Sequence, residues 1–514
     1  MSDQTSNNKR IAKNTILLYV RMLLLMLVSL YTSRIVLDSL GVEDYGIYDV
    51  VGGVVTMLGF ITGSLGAASS RFITYEIGRG DIGSIIKVFN CSLTIFYLLA
   101  IGVFLIAETV GLWFVYTQLT IPPERMVAAI WVYQCSILTF ILSIISIPYN
   151  AIIIAYERMS AFAYISIYEG LAKLAVALLI PLFVADKLII YAVLILLTQL
   201  SIRFVYIWYC KRNFMETKKN RFMWDHILSH KLLSYSGWSL IGSLAVMGST
   251  QGISLLLNVF FGPIVNAARG IAIQVQGAVI QLLSGFTTAM RPQIVKSYAS
   301  KDLSYMHSLL IRGTKISFFL TLIVVVPIYM NVEYILDLWL TDVPDYTASF
   351  VRLLLISSLL AALRVPTLIA VHATGDIKRF QIIEGALLLA VVPVAYIALK
   401  WFNISPNGVF IIYLIIEALT QLVRVLIVFP MINLNFFSFI KRILFPVAFS
   451  TIPIVFISYA LYSFLYSTDL KLFLCNSTIS IILSFFIIMV CGFSKSERLY
   501  VASMVKTFTK KFVK

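Results

Sequence analysis

The chain has 514 residues, 60% hydrophobic and only 12% charged, with a mean hydropathy of +0.93. Soluble domains are about half apolar and roughly a quarter charged, so a soluble enzyme, a disulfide-rich secreted domain and a disordered chain are excluded and a polytopic membrane protein remains. The formal net charge of +16, from 40 Lys and Arg against 24 Asp and Glu, does not indicate nucleic acid, because no basic patch on a soluble module accompanies it; the lipid bilayer is the expected partner.

A bilayer span needs about 20 mostly apolar residues. In chain order the candidates fall near 14–37, 46–69, 88–115, 126–149, 160–184, 187–209, 233–261, 268–290, 310–331, 347–371, 380–400, 406–430, 441–465 and 471–492, fourteen helices in all. The first is longer than a signal-peptide core and lacks a small-x-small cleavage site before Arg34, so it reads as a retained span. Loop charges alternate in phase with the spans. Lys9, Arg10 and Lys13 precede helix 1, Asp38, Glu43, Asp44 and Asp49 follow it, and Arg71, Arg79 and Lys87 follow helix 2. The connection 210–232 and the tail from 495 are basic, whereas the loop near 332–346 is acidic. The positive-inside rule then puts both termini in the cytoplasm. Cys91, Cys135, Cys210, Cys475 and Cys491 are odd in number and without paired spacing, and read as small apolar packers.

An internal repeat runs through the chain. Arg71 and Arg291 lie 220 residues apart, Gly80-Asp81 and Lys301-Asp302 lie 221 apart, and Leu40-Gly41 and Phe261-Gly262 again 221. Pro148 and Pro366, read as helix ends, each have Ala seven residues on, at an offset of 218. Thr198-Gln199-Leu200 with Arg203 matches Thr420-Gln421-Leu422 with Arg424. The expected organisation is an N-lobe of six helices at 1–209, a basic linker at 210–232, a C-lobe of six helices at 233–430, helices 13 and 14 at 431–494 and a basic tail at 495–514. An even repeat enters the membrane in the same orientation twice, so a pseudo-two-fold along the membrane normal is expected.

The stretch Ser33-Arg34-Ile35-Val36-Leu37-Asp38-Ser39-Leu40-Gly41-Val42-Glu43-Asp44-Tyr45-Gly46-Ile47-Tyr48, with Ser69-Ser70-Arg71 and Gly78-Arg79-Gly80-Asp81, resembles the O-antigen (Wzx-type) flippases of the multidrug/oligosaccharidyl-lipid/polysaccharide exporter superfamily. The specific likeness is concentrated in the first 90 residues. It implies a MATE-like, all-α fold in the bacterial inner membrane and alternating access around a cationic cavity. It also implies a cargo of undecaprenyl-diphosphate-linked oligosaccharide, assembly proteins of a polysaccharide pathway as partners, and, by analogy with lipid II flippases, a lipid groove at helices 13 and 14. Phe436, Phe437, Phe439, Phe445 and Phe449 suit that groove and suit ordinary bilayer contact equally.

A charge inside the bilayer costs a few kcal/mol or more and tends to face a cavity or a partner. Arg suits a diphosphate because its planar fork holds two phosphate oxygens at once. Arg21, Arg34, Arg269 and Arg364 are the expected cationic cavity set. Gln199, Arg203, Gln421 and Arg424, repeated in both halves, are expected at a cytoplasmic gate or snorkelling to headgroups. Glu108, Glu169, Glu384 and Glu417 are candidates for ion coupling, although Glu169 and Lys173 have the i,i+4 spacing of a helical ion pair. Arg352 reads as an anchor at the outer end of helix 10. Pro148 and Pro366 read as hinges or ordinary kinks, and the glycines from Gly52 to Gly66 as a close-packing surface. His226 and His230 lack further ligands, so an amphipathic surface helix is expected there and no metal. No Walker A sequence and no cofactor motif occurs. The competing functions are a drug/cation antiporter of the same superfamily, which calls for acidic residues, and a membrane polymerase or glycosyltransferase, which calls for larger outer loops.

Overall fold

The computed structural model describes residues 2–56, 59–117, 121–218, 221–340, 343–464, 469–495 and 497–498. All regular structure among them is helical, and thirteen helices are long and apolar enough to cross a membrane. The remaining expected span, 46–69, is divided: one helix ends at Thr56, the next begins at Gly59, and residues 57–58 lie outside the described residues. That second helix carries Arg71, Glu76 and Arg79 towards its end, which lowers its apolar character. The chain forms two compact units, residues 16–240, and residues 241–514 together with 1–15.

The 16–240 unit holds most of α1 (Ser2–Thr56), then α2 (Gly59–Arg79), α3 (Ile82–Ile106), α4 (Leu112–Thr117), α5 (Met126–Ala155), α6 (Met159–Leu179), α7 (Lys187–Asn213) and the start of α8 (His226–Phe261). α5 packs against α2, α3 and α7. Its aromatic and branched side chains join two apolar clusters, one with Tyr149 and Ile152 beside Phe89 and Ile202, the other with Val132, Tyr133 and Ile137 beside Val51 and Val115. The 241–514 unit holds the rest of α8, α9 (Pro263–Ala299), α10 (Leu303–Met330), α11 (Val332–Trp339), α12 (Thr347–Thr374), α13 (Lys378–Phe402), α14 (Pro406–Met431), α15 (Phe436–Phe439), α16 (Phe445–Phe464) and α17 (Leu470–Ile487). There α12 packs against α9, α10 and α14, and α16 and α17 pack on α10.

Turn chemistry repeats between the units. Gly41, at φ 79°, breaks α1 into two arms, and Gly262, at φ 82°, separates α8 from α9, 221 residues on. A side chain is strained in that left-handed region, which is why glycine stands at both. Gly80 and Lys301 also have positive φ and each precedes an aspartate that caps a helix: Asp81 accepts from Ser84 N and Asp302 from Tyr305 N, both at 3.0 Å. Glu157 and Gly375, 218 apart, form a third such pair. Pro148 and Pro366 do not end their helices. Both lie inside, in α5 and α12, about two turns before the last residue. A membrane helix tolerates this where neighbouring groups satisfy the freed carbonyl.

His226 and His230 occupy the first turns of α8, which continues unbroken to Phe261, so this stretch is the extension of a spanning helix and not a separate surface helix. Phe437, Phe445 and Phe449 are exposed, whereas Phe439 is buried with its ring 5.0 Å from that of Phe429. Beyond α17, the Lys315 ammonium on α10 donates to Glu497 at 2.6 Å. Both side chains are buried, and Glu497 also accepts from Ser494 N at 2.8 Å, so the end of α17 is held on α10 by a satisfied ion pair.

The acidic turn after Gly41 has a partner that sequence spacing does not reveal. Arg125, one residue before α5, donates to Asp44 through Nε at 2.8 Å and Nη2 at 2.5 Å, and to Asp186 through Nη1 at 2.6 Å. One guanidinium thereby ties the second arm of α1 to the starts of α5 and α7. Partial burial works to raise the Asp186 carboxyl, but hydrogen bonds from Arg125 and the backbone of Ile189 and Leu188 outweigh it and hold the group below its ordinary value. A depressed folded-state value means the stabilisation is complete above the unfolded value, near 3.9, and is lost as pH falls through the lowered one. The clamp should therefore be constant across pH 5 to 8 and fail only in acid. Arg125→Ala should cost about 2 kcal/mol, read as a lower apparent melting temperature of the purified protein. Arg125→Lys should recover only part, since an ammonium cannot bridge both carboxylates through a fork.

Candidate functional site

In the 16–240 unit, Arg21 lies on the first arm of α1 with its guanidinium carbon 4.4 Å above the Phe162 ring of α6. Leu25, one turn along, packs where Gly170 of α6 leaves room, so the two helices approach closely there. Glu169 and Tyr206 are within electrostatic range of Arg21, but Glu169 is bound at 2.7 Å by Lys173, and Arg21 Nε is buried without a hydrogen-bond partner. Arg34 is exposed on the same arm of α1. Glu108 sits in a single π-turn, Ala107–Gly111, between α3 and α4. It accepts from Gln134 Nε2 at 3.2 Å, and its other oxygen is buried without a partner.

Gln199 and Arg203, one turn apart on α7, both reach α5. Gln199 Nε2 donates to Ser143 Oγ at 2.8 Å, and Arg203 Nη1 lies 3.4 Å from Ser146 Oγ. The Arg203 guanidinium also lies 5.3 Å from the Tyr149 ring centre. No carboxylate is within ion-pair distance of Arg21 or Arg203 among the described residues.

In the 241–514 unit, Arg269 on α9 is 9% exposed and donates to the Thr250 carbonyl of α8 at 2.5 Å. Again no described carboxylate pairs with it. Five other candidates form one network across α12, α13 and α14. On α14, Glu417, Gln421 and Arg424 follow at intervals of four and three, one face of the helix. Glu417 accepts from Ser357 at 2.7 Å and lies 3.7 Å from Arg364, both on α12. Arg424 donates to Gln421 on its own helix and to Glu384 of α13. Arg352 donates to Glu333 at 2.7 Å and to the Tyr329 carbonyl, which ties α12 to α10 and α11. No group of three or more His, Cys, Asp or Glu able to hold a metal occurs among the described residues.

Two features escaped the sequence reading. The Arg125 bridge joins residues 81 and 61 positions apart, beyond any local spacing. The second is the polar stripe Ser136, Thr139, Ser143 and Ser146 on α5, whose spacing of three, four and three was visible in an apolar helix.

No family model matches the chain, and no curated protein matches it in sequence. Solved structures do match in fold. A crystal structure of MATE in the bent conformation has a TM-score of 0.71 at 16% identity, over 84% of this chain and 97% of that one. An outward-facing multidrug resistance MATE family transporter of the MOP superfamily gives 0.71 at 16% identity, over 83% and 96%. A MOP superfamily transporter from Pyrococcus furiosus, described by a reverse polarity of its binding pocket that suggests a different function, gives 0.68 at 16% identity over the same shares. The fold is thus that of the MATE transporters of the MOP superfamily.

Proposed function

We propose that the protein is a transporter that flips an anionic lipid-linked oligosaccharide, carried on undecaprenyl diphosphate, across the bacterial inner membrane. The observation that carries this reading is a charge imbalance at membrane depth. Glu169, Glu384 and Glu417 each have a cationic partner, Lys173, Arg424 and Arg364, whereas Arg21, Arg203 and Arg269 have no carboxylate partner among the described residues. An uncompensated arginine in a low-dielectric setting favours a ligand that brings negative charge, and a diphosphate fits the guanidinium fork. The resemblance of the first 90 residues to the Wzx-type exporters and the MATE fold agree with such a cargo. On this reading both termini lie in the cytoplasm, as the loop charges suggest, and polysaccharide assembly proteins are the partners.

The drug/cation antiporter is the second reading, and Glu108 is what favours it: it is the one candidate carboxylate without a cation among the described residues. Reconstitution in vesicles separates the two. Labelled undecaprenyl-diphosphate oligosaccharide should cross in the presence of the protein and ethidium should not. Ethidium export without lipid translocation would replace this reading with the antiporter, and glycan lengthening without translocation would replace it with an enzyme.

A further inference from the structure

The hydroxyls of α5 divide into two kinds. Elsewhere in the spans, Thr94, Ser166, Thr198 and Thr321 donate to the carbonyl four residues earlier, the usual way a hydroxyl is satisfied in a helix with no water beside it, while a few, such as Ser92, Ser317 and Ser484, are buried without a partner. Ser143 and Ser146 donate to the carbonyl four residues earlier, at 3.0 and 2.7 Å, and each also meets a side chain of α7, Gln199 and Arg203 respectively. Thr139 Oγ1, on the same face, is buried and has no hydrogen-bond partner. With Ser136, Ser143, Tyr48 and Phe140 it lines a cavity of about 280 Å³ between α5, α7 and the second arm of α1. Among the described residues, no acidic or basic side chain lines that cavity.

We propose that this cavity is a subsite for one neutral sugar ring of the cargo, and that Arg203, further along the same hydroxyl track, meets the adjoining negative charge. The inference rests on the anionic, lipid-linked reading above. Hydroxyls both donate and accept, as a polyol does, and the tyrosine and phenylalanine offer apolar surface to the ring's C–H face. A lipophilic cation would find no carboxylate among the described residues that line it. The volume lies just below the roughly 300–1,000 Å³ of sites for drug-sized ligands, which suits a single ring. Thr139 and Ser146 are seven residues apart, about 10 Å along the helix, so the ring seated here belongs to the diphosphate-proximal end of the glycan. Arg203 stacks beside Tyr149 and lies 3.5 Å from the Tyr97 hydroxyl, with its charge uncommitted to any described carboxylate.

The test compares two probes on the purified full-length protein: undecaprenyl diphosphate alone and undecaprenyl diphosphate bearing one N-acetylglucosamine. The sugar-bearing probe should bind about ten-fold tighter, the worth of two hydrogen bonds. Ser136→Ala with Thr139→Val should remove that advantage and leave the bare lipid unaffected, while Arg203→Ala should weaken both probes alike. Ala192→Leu, which fills the cavity from α7 without touching a hydroxyl, should reproduce the loss of the sugar advantage, and the melting temperature of each variant shows that it is folded. Equal binding of the two probes by the wild type, or a double variant that keeps the ten-fold difference, overturns the subsite alone. If neither probe binds the wild type, the anionic-cargo reading falls with it.

Discussion

Arg424→Met should be among the most destabilising single substitutions in the 241–514 unit. Arg424 is 2% exposed, and its guanidinium donates to Glu384 of α13 and to Gln421. Without it the Glu384 carboxylate remains in largely apolar surroundings with no described partner, and breaking a buried pair from one side costs about 3–5 kcal/mol. The double substitution Arg424→Met with Glu384→Leu should recover most of the loss. Replacing a whole buried pair by apolar groups is often neutral, and here the pair is incompletely satisfied, since Arg424 Nε and Gln421 Nε2 are buried without partners. Apparent melting temperatures of the purified variants decide this. A single variant that melts like the wild type would show that the pair does not hold α13 to α14.

The same network explains how far the sequence could be read. A helical ion pair such as Glu169–Lys173 is legible because four residues is the helix's own spacing. Arg364 and Arg424 looked unattached because their partners lie on other helices, 53 and 40 residues away. The spans were legible because a bilayer imposes a length and a composition on each of them. The turns at Gly41 and Gly80 were legible as a repeat because few residues suit a positive φ or an aspartate cap, so the same chemistry returns, whereas the positive φ shared by Glu157 and Gly375 was not, because no common residue type marks it. Proline misled for a related reason: in a soluble helix it marks an end, but Pro148 and Pro366 sit where a bilayer helix can continue. What stayed hidden was chemistry assembled from separate segments, such as Arg125 with Asp44 and Asp186.

Arg21→Ala should lower the rate of lipid-linked oligosaccharide translocation by about ten- to a hundred-fold at subsaturating substrate, the equivalent of losing one charged hydrogen bond of about 1.5–3 kcal/mol. It should leave the melting temperature little changed, because Arg21 holds no ion pair among the described residues and its described contact is the stacking on Phe162, about 0.5–1 kcal/mol at a partly exposed site. Arg21→Lys keeps the charge but not the planar fork, and should recover activity in part. Arg364→Ala is the informative contrast. Its guanidinium faces Glu417 at 3.7 Å, so its removal should disturb stability more than transport. If Arg364→Ala abolished translocation while Arg21→Ala did not, the cargo's negative charge would be met within the α12–α14 network, and the unpaired arginines would lose their assigned role.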